Sequence, residues 1–262
     1  PDGALYVCDL YRKTIEHPNN LPEAIRKAAA IDGGKDKGRI YRITTLNSEP
    51  KPKKVDLAHA SVEHLCKELN NRDGWWRATA QRLLLERRNI IAIPDLQLLC
   101  RHGKMPETRV LAVRILEGIG ALDDPRIEEA LSDPDPGVRE NGIQLAEPRL
   151  SKSPKLATHV LAMADDPNAR VRFQCALSLG ALSDTAAASL LCKERWSTYT
   201  PPARETVIAS VMNHTNLVLT LLDHIATGDI PALSVNADRR QQLLQSKDET
   251  IKNRAAQVFK NM

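Results

Sequence analysis

Apolar residues recur along most of the chain with the spacing of amphipathic helices, and each recurrence opens with a similar turn and an arginine. The first instance is Asp73-Gly74-Trp75-Trp76-Arg77, and the phrase returns around Arg109, Arg139 and Arg172. The four arginines are separated by 32, 30 and 33 residues. A period of about 30 to 45 residues filled with helical pattern is typical of stacked helix pairs. The sequence therefore predicts a mainly α fold, an α-solenoid.

The same pattern predicts that residues 57–262 are entirely helical, as five or six stacked pairs. Ser61 is a candidate N-cap for the first of these helices, which carries Val62, Leu65 and Leu69. The strict alternation of apolar and polar residues that indicates a strand does not occur after residue 45. Further helices are predicted over 75–88, 106–118, 136–146, 154–164, 169–181, 184–194, 202–212, 215–226 and 249–260.

Residues next to each repeated arginine are expected to face the following helix pair. This interpretation predicts that replacing Leu177 by alanine lowers stability by about 2 to 5 kcal/mol, the range for a well-packed core leucine. The residues predicted to be buried between repeats are Val110, Leu116, Val138, Leu145, Val171, Leu177 and Leu179.

The first 45 residues have a different pattern. Residues 4–8 and 38–43 are rich in strand formers, and a short helix is predicted over 22–28 between them. Two strands alone are marginally stable in water, so they are expected to belong to a larger sheet that precedes Pro1. The chain, which starts without Met, is accordingly expected to be an internal piece of a longer protein.

The chain is thus divided into strands with a helical insertion at 1–45, a proline-broken linker at 46–56 and a helical array at 57–262. Aromatic residues make up only 3% of the sequence, which favours a core of Ala, Leu, Ile and Val. A net charge of +4 over 262 residues does not indicate nucleic-acid binding. No apolar run of about eighteen residues is present, so no membrane span is expected.

The sequence contains few motifs that indicate a particular chemistry. The five cysteines show no paired spacing and no Cys-x-x-Cys-His motif for covalent haem, so we interpret them as structural. The histidines do not fall into zinc-binding spacing, and neither a Gly-rich phosphate loop nor a Gly-x-Ser-x-Gly motif is present. No catalytic residue and no metal ligand is therefore assigned.

Two repeated features have alternative interpretations. The repeated arginines could line a phosphate-binding groove, or could form an internal ladder with the aspartates of Asp133-Pro134 and Asp166-Pro167, which recur with the same period. The ladder explains both residue types and is preferred. Trp75 and Trp76 could offer a stacking platform, but a tryptophan pair at a helix start more often packs into the core.

Several phrases in the chain carry a resemblance to a known family. Pro1-Asp2-Gly3-Ala4-Leu5-Tyr6-Val7-Cys8-Asp9-Leu10-Tyr11-Arg12 and Gly38-Arg39-Ile40-Tyr41-Arg42-Ile43 resemble the closing blade of the β-propeller in planctomycete-type putative membrane-bound dehydrogenases, relatives of soluble quinoprotein glucose/sorbosone dehydrogenases. The phrase at 73–84 resembles the first HEAT repeat after that propeller.

This resemblance implies a β-propeller remnant followed by a HEAT-repeat array, without catalysis in this chain. A parent protein would use pyrroloquinoline quinone with calcium, carry haem c downstream and lie in the periplasm or another extracytoplasmic space. Partners would be another protein or adjoining domains, not nucleic acid. Alternatives are a general protein-interaction scaffold and a nucleic-acid-binding HEAT module.

Asp9, Glu16 and His17 are weak candidates for residues at the opening of a cofactor site. The alternative is that Asp9 forms a salt bridge with Arg12.

Overall fold

The computed structural model describes residues 4–12, 17–28, 33–34, 36–44, 55–182, 188–191 and 193–260. It is mostly helical, with one small sheet near the amino end. The α-helices are α1 (Glu23–Ala28), α2 (Val62–Glu68), α3 (Gly74–Arg87), α4 (Ile93–His102), α5 (Pro106–Gly118), α6 (Asp124–Leu131), α7 (Pro136–Ala146), α8 (Pro154–Ala162), α9 (Ala169–Leu177), α10 (Lys193–Thr198), α11 (Pro201–Val211), α12 (Thr215–Ala226), α13 (Ala237–Leu244) and α14 (Glu249–Val258).

The sheet is an antiparallel pair of strands, β1 (Leu5–Asp9) and β2 (Arg39–Ile43). Leu5 lies opposite Ile43 and Asp9 lies opposite Arg39. Every residue of β2 is exposed, so the described helical array does not cover this strand. The two strands and the helix between them agree with the sequence prediction to within one residue.

The helices of the array lie in two layers. Within the first layer α2, α4, α6 and α8 pack side by side, and within the second layer α3, α5, α7, α9 and α11 do the same. The pairs α4–α5 and α6–α7 make the closest contacts between layers, and α12, α13 and α14 continue the array at its carboxyl end. A continuous apolar core fills the space between the layers. No strand occurs in the described residues after Ile43, which confirms the solenoid prediction.

Polar side chains start these helices where the sequence places them. Ser61 caps α2 by accepting the backbone N–H of His64 at 3.2 Å, which confirms the predicted cap. Asp73 accepts the backbone N–H of Trp75, and Asp135 accepts that of Gly137. Such caps satisfy amide groups that have no partner within the helix. The helices α2, α3 and α7 therefore have fixed starting points, whereas α4, α5 and α8 begin without a side-chain cap.

Three helices were not among those predicted, namely α4, α6 and α13. Each is the shorter first member of a pair and has ten residues or fewer. The predicted helices 154–164 and 169–181 end earlier as α-helix and continue as short 3₁₀ turns. The prediction for 184–194 falls partly outside the described residues and overlaps α10 only at residues 193 and 194. Most of the predicted linker also lies outside the described residues.

Burial corrects the predicted core at two positions. Leu116, Val138, Leu145 and Val171 are buried, as predicted. Leu177 is 47% exposed, which contradicts both its assignment to the core and the large effect expected for its replacement by alanine.

Val110 is only half-buried, because it follows the repeat arginine whereas Val138 and Val171 precede theirs. The position that precedes Arg109 holds Thr108, which is buried and donates its hydroxyl to the carbonyl of Leu69 at 2.7 Å. The side chain of Leu179 lies outside the described residues.

Candidate functional site

The repeated arginines lie at the joints between repeats and form the arginine ladder, which comprises Arg77, Arg109, Arg139 and Arg172. Arg109 donates from Nε and Nη2 to the two carboxylate oxygens of Asp133 at 2.6 and 2.8 Å. Its Nη1 donates to the carbonyl of Gly103 at 2.9 Å, in the loop before its own helix. One side chain thus joins its own turn to the turn of the next repeat.

The next joint repeats this geometry. Arg139 donates to both carboxylate oxygens of Asp166, at 2.7 and 2.9 Å, and its Nη1 donates to the carbonyls of Asp133 and Pro134. Arg172 continues the series by donating to the carbonyl of Asp166 at 2.7 Å. The arginine and aspartate side chains, together with the backbone carbonyls of Asp133 and Asp166, therefore form an unbroken chain of hydrogen bonds from Arg109 to Arg172. The ladder interpretation is confirmed.

Both ion pairs are buried. The side chains of Asp133 and Asp166 are 7% and 4% exposed, and those of their arginine partners are 12% and 13% exposed. Burial by itself would raise the pKa of Asp166, but the Arg139 guanidinium and the backbone N–H of Asn168 hold that pKa below its usual value. The bidentate geometry is the strongest form of arginine–carboxylate contact. These arginines are occupied by structural partners and do not line an open groove.

The ladder ends are different. Arg77 binds the carbonyls of Asn71 and Arg72 through Nη1. At the other end Arg204 occupies the equivalent place on α11, where its Nε donates to the carbonyl of Trp196 at 3.2 Å and its guanidinium lies over the indole ring. Sequence reasoning missed Arg204, although it lies 32 residues after Arg172 and so fits the period of the ladder.

A second row of polar side chains runs along the second helix layer, where its members are half-buried or buried. Arg114 on α5 donates to Asn141 at 2.9 Å and also binds Gln144, both on α7. Gln144 in turn donates to Gln174 on α9 at 2.9 Å. This row had no counterpart in the sequence predictions, although its residues recur with the same period as the ladder.

The outer positions of the second layer follow a simple rule. Arg82, Arg114, Gln144 and Leu177 each lie five residues after a ladder arginine, and together they mark what we call the second-layer face. At 100° per residue this position points away from the buried side of each helix. Arg82 and Leu177 are exposed, while Arg114 and Gln144 are half-buried. The middle of this face is polar, and at α9 the face presents the apolar side chain of Leu177.

The tryptophan pair divides between core and solvent. Trp76 is half-buried against the core, as predicted, but Trp75 is 42% exposed, so its predicted place in the core is wrong. The two rings meet edge to face with their centroids 5.5 Å apart. Trp75 lies at the start of α3 and extends the second-layer face with an exposed aromatic ring.

The candidate cofactor residues lie near the amino end. Asp9 ends β1 and accepts the backbone N–H of Tyr11 at 2.8 Å, and exposed His17 accepts the backbone N–H of Asn19 at 3.3 Å. Both hydrogen bonds join residues two apart and stabilise local turns. Glu16 lies outside the described residues. A cofactor role for Asp9, Glu16 and His17 stays a prediction.

Across the part of the chain that the structure describes, no group of three or more His, Cys, Asp or Glu side chains is placed to hold a metal ion. Within the same residues, no helix combines the length and the apolar character needed to cross a membrane.

The cysteine thiols differ sharply in their surroundings. Burial raises the pKa of Cys66 to about 11 and those of Cys100 and Cys175 to about 12, whereas Cys8 is exposed. Only the thiolate reacts with disulfide reagents, so these three thiols are protected at neutral pH. We expect Cys8 to react with Ellman's reagent in the folded protein, and the three buried thiols to react only after denaturation. The test uses a Cys192→Ser background, because Cys192 lies outside the described residues. In that background, loss of the fast labelling in Cys8→Ser confirms the expectation, and fast labelling that persists without Cys8 contradicts it.

Residues 124–212 match the family of HEAT repeats. Residues 1–47 match a domain of unknown function, DUF7133. No curated protein matches the chain. The chain is thus a mostly helical HEAT-type solenoid with a small antiparallel sheet near its amino end.

Among solved structures this chain is similar to a designed armadillo repeat protein, with 14% identity, a TM-score of 0.39 and coverage of 76% of this chain and 99% of that one. An engineered protein shows 17% identity, a TM-score of 0.32 and coverage of 76% of this chain and 95% of its own.

Proposed function

We propose that the HEAT array is a non-catalytic scaffold that binds another protein on its second-layer face. The observation that carries this proposal is the continuous chain of buried ion pairs from Arg109 to Asp166, which holds successive second helices in a fixed register. A surface that is held in this way needs little reordering on binding, and preorganisation favours affinity. Exposed Trp75 and Leu177 supply the apolar anchors that protein interfaces use.

The test has two stages. A photo-crosslinking residue at Gln144 should capture one recurring protein from cells that express the chain, and the same residue at Thr158 on the first layer should not. The captured protein is then purified and its affinity for the chain measured by calorimetry. Trp75→Ala and Leu177→Glu should each weaken binding at least about tenfold, an effect of the size found at interface hot spots.

Leu98→Glu provides the matched control, because Leu98 is 60% exposed on α4 in the first layer. This variant should bind as the unaltered chain does. Equal weakening by Leu98→Glu, or unchanged affinity in both second-layer variants, would contradict the assignment of the face.

A second candidate gives the scaffold a narrower role, the support of a propeller-type quinoprotein dehydrogenase and its positioning for electron transfer. The observation that favours it is the exposed strand pair β1–β2, together with the resemblance of its sequence to a closing propeller blade. The chain itself should then be inactive. A dye-reduction assay with pyrroloquinoline quinone, calcium and aldose sugars should give no turnover above the buffer blank, and turnover would contradict a non-catalytic role.

A further inference from the structure

The strand pair β1–β2 carries a dense set of exposed apolar side chains. Its large hydrophobic residues are each at least 40% exposed, although side chains of this kind are normally covered in a folded protein. The set consists of Leu5, Tyr6, Val7, Ile40, Tyr41 and Ile43. Apolar surface concentrated in two short strands indicates a docking surface.

One side of this pair has a regular composition. Alternate residues of a strand point to the same side, so the register places Leu5 beside Ile43, Val7 beside Tyr41 and Asp9 beside Arg39 on one side. We call this side the hairpin face. It consists of two apolar levels followed by one level that carries both a negative and a positive charge.

The charged level is held in place by its own turns. Asp9 uses Oδ1 to accept the N–H of Tyr11, and Arg39 uses Nη1 to donate to the carbonyls of Lys37 and Gly38. Among the described residues, these contacts leave Oδ2 of the carboxylate and the other guanidinium nitrogens open. Both charges can therefore reach a partner that approaches the hairpin face.

We propose that the hairpin face is a self-association surface, on which a second copy of the chain docks about a two-fold axis parallel to the strands. The two residues of a cross-strand pair lie at the same position along the strands. A two-fold rotation about an axis parallel to the strands keeps that position and exchanges the two strands. Each residue therefore lies opposite the second copy's counterpart of its cross-strand neighbour. Leu5 then meets Ile43 of the second copy, and Val7 meets its Tyr41. Asp9 of each copy meets Arg39 of the other, so the charged level contains two complementary pairs side by side.

The hairpin face suits a second copy better than the opposite side of the same strands does. The opposite side has one apolar level, Cys8 with Ile40, and its strand residues include a cation, Arg42, but no carboxylate. An isologous contact needs a surface that is complementary to itself, and the hairpin face meets this condition at all three levels. The face measures roughly 17 by 10 Å, far less than a stable interface needs, so the dimer should be weak and reversible.

Sedimentation equilibrium of the purified chain, from micromolar to millimolar concentration, tests the proposal. The weight-average mass should rise reversibly from 29.1 kDa towards twice that value. Asp9→Arg and Arg39→Asp should each abolish the rise, because each places like charges opposite one another twice. Val7→Glu should abolish it as well, whereas Leu98→Glu on the array should leave it unchanged.

An equimolar mixture of the Asp9→Arg and Arg39→Asp chains separates contacts between copies from contacts within one copy. In a mixed dimer the new arginine faces the new aspartate and the unaltered arginine faces the unaltered aspartate, while the pair within each chain still carries like charges. The mixture should therefore recover the rise in mass. A chain that stays monomeric, a rise that persists in Asp9→Arg, assembly beyond the dimer, or a mixture without recovery would each overturn the proposal.

Discussion

Replacing Asp166 by alanine is expected to lower the free energy of unfolding by about 3–5 kcal/mol, the range for removing one partner of a buried ion pair. The carboxylate accepts hydrogen bonds from Nε and Nη2 of Arg139 and from the backbone N–H of Asn168, so its loss leaves a buried guanidinium without its counter-charge. Urea unfolding followed by helical circular dichroism measures the effect.

The neighbouring residue supplies a matched control. Asp165 is also an aspartate with an arginine partner, Arg195, at 3.1 Å, but its side chain is 63% exposed. Asp165→Ala should lower stability by less than about 1 kcal/mol, because exposed ion pairs contribute little. Equal losses of stability in the two alanine variants would contradict the claim that burial makes the Arg139–Asp166 pair more stabilising than the exposed pair.

The ladder also gives the array a dependence on pH. The pKa of Asp166 is lower in the folded chain than the usual value of about 3.9 for an unfolded aspartate. Its contribution is therefore fully present above pH 4 or so, and is lost as the pH falls through the folded pKa. In acid-unfolding curves, Asp166→Asn should remove part of the loss of stability that accompanies falling pH. Identical slopes for the unaltered chain and Asp166→Asn would contradict this assignment.

The sequence predicted the ladder because its two residue types recur with one period and need each other. Arg109, Arg139 and the aspartates at 133 and 166 could be paired from their spacing alone, since a buried arginine requires an acceptor. Arg204 donates to the carbonyl of Trp196, so pairing with an aspartate could not find it, and only its distance of 32 residues from Arg172 marks it in the sequence.

The polar row on the second layer was missed for a related reason. Arg114, Asn141 and Gln144 are ordinary residues on helix surfaces, and only the packing of α5 against α7 brings them together. The short first helices were missed because few apolar positions fit into so few residues. Leu131 and Ile127 of α6, for example, show less than two turns of periodicity.

The burial of Leu177 was predicted wrongly because its position on the helix, counted from the ladder arginine, was not taken into account. A comparison of Leu177 with Leu116 gives the second prediction with a large expected effect on stability. Leu116 lies seven residues after Arg109, which places it on the buried side of α5, whereas Leu177 lies five residues after Arg172 and points to solvent. The spacing of leucines alone does not separate these positions, but counting from the ladder arginine of each helix does. Leucine at the two positions should therefore have very different energetic roles.

Leu116→Ala should lower the free energy of unfolding by about 2–5 kcal/mol, because it removes a fully buried side chain and leaves a cavity between layers. Leu177→Ala should change it by no more than about 0.5 kcal/mol, as expected for a surface position. Both variants remove the same atoms, so differences in side-chain chemistry cancel in urea unfolding curves recorded in parallel. A large loss at Leu177 would mean that another surface covers the second-layer face in solution, and a small loss at Leu116 would mean that the layers are not packed as described.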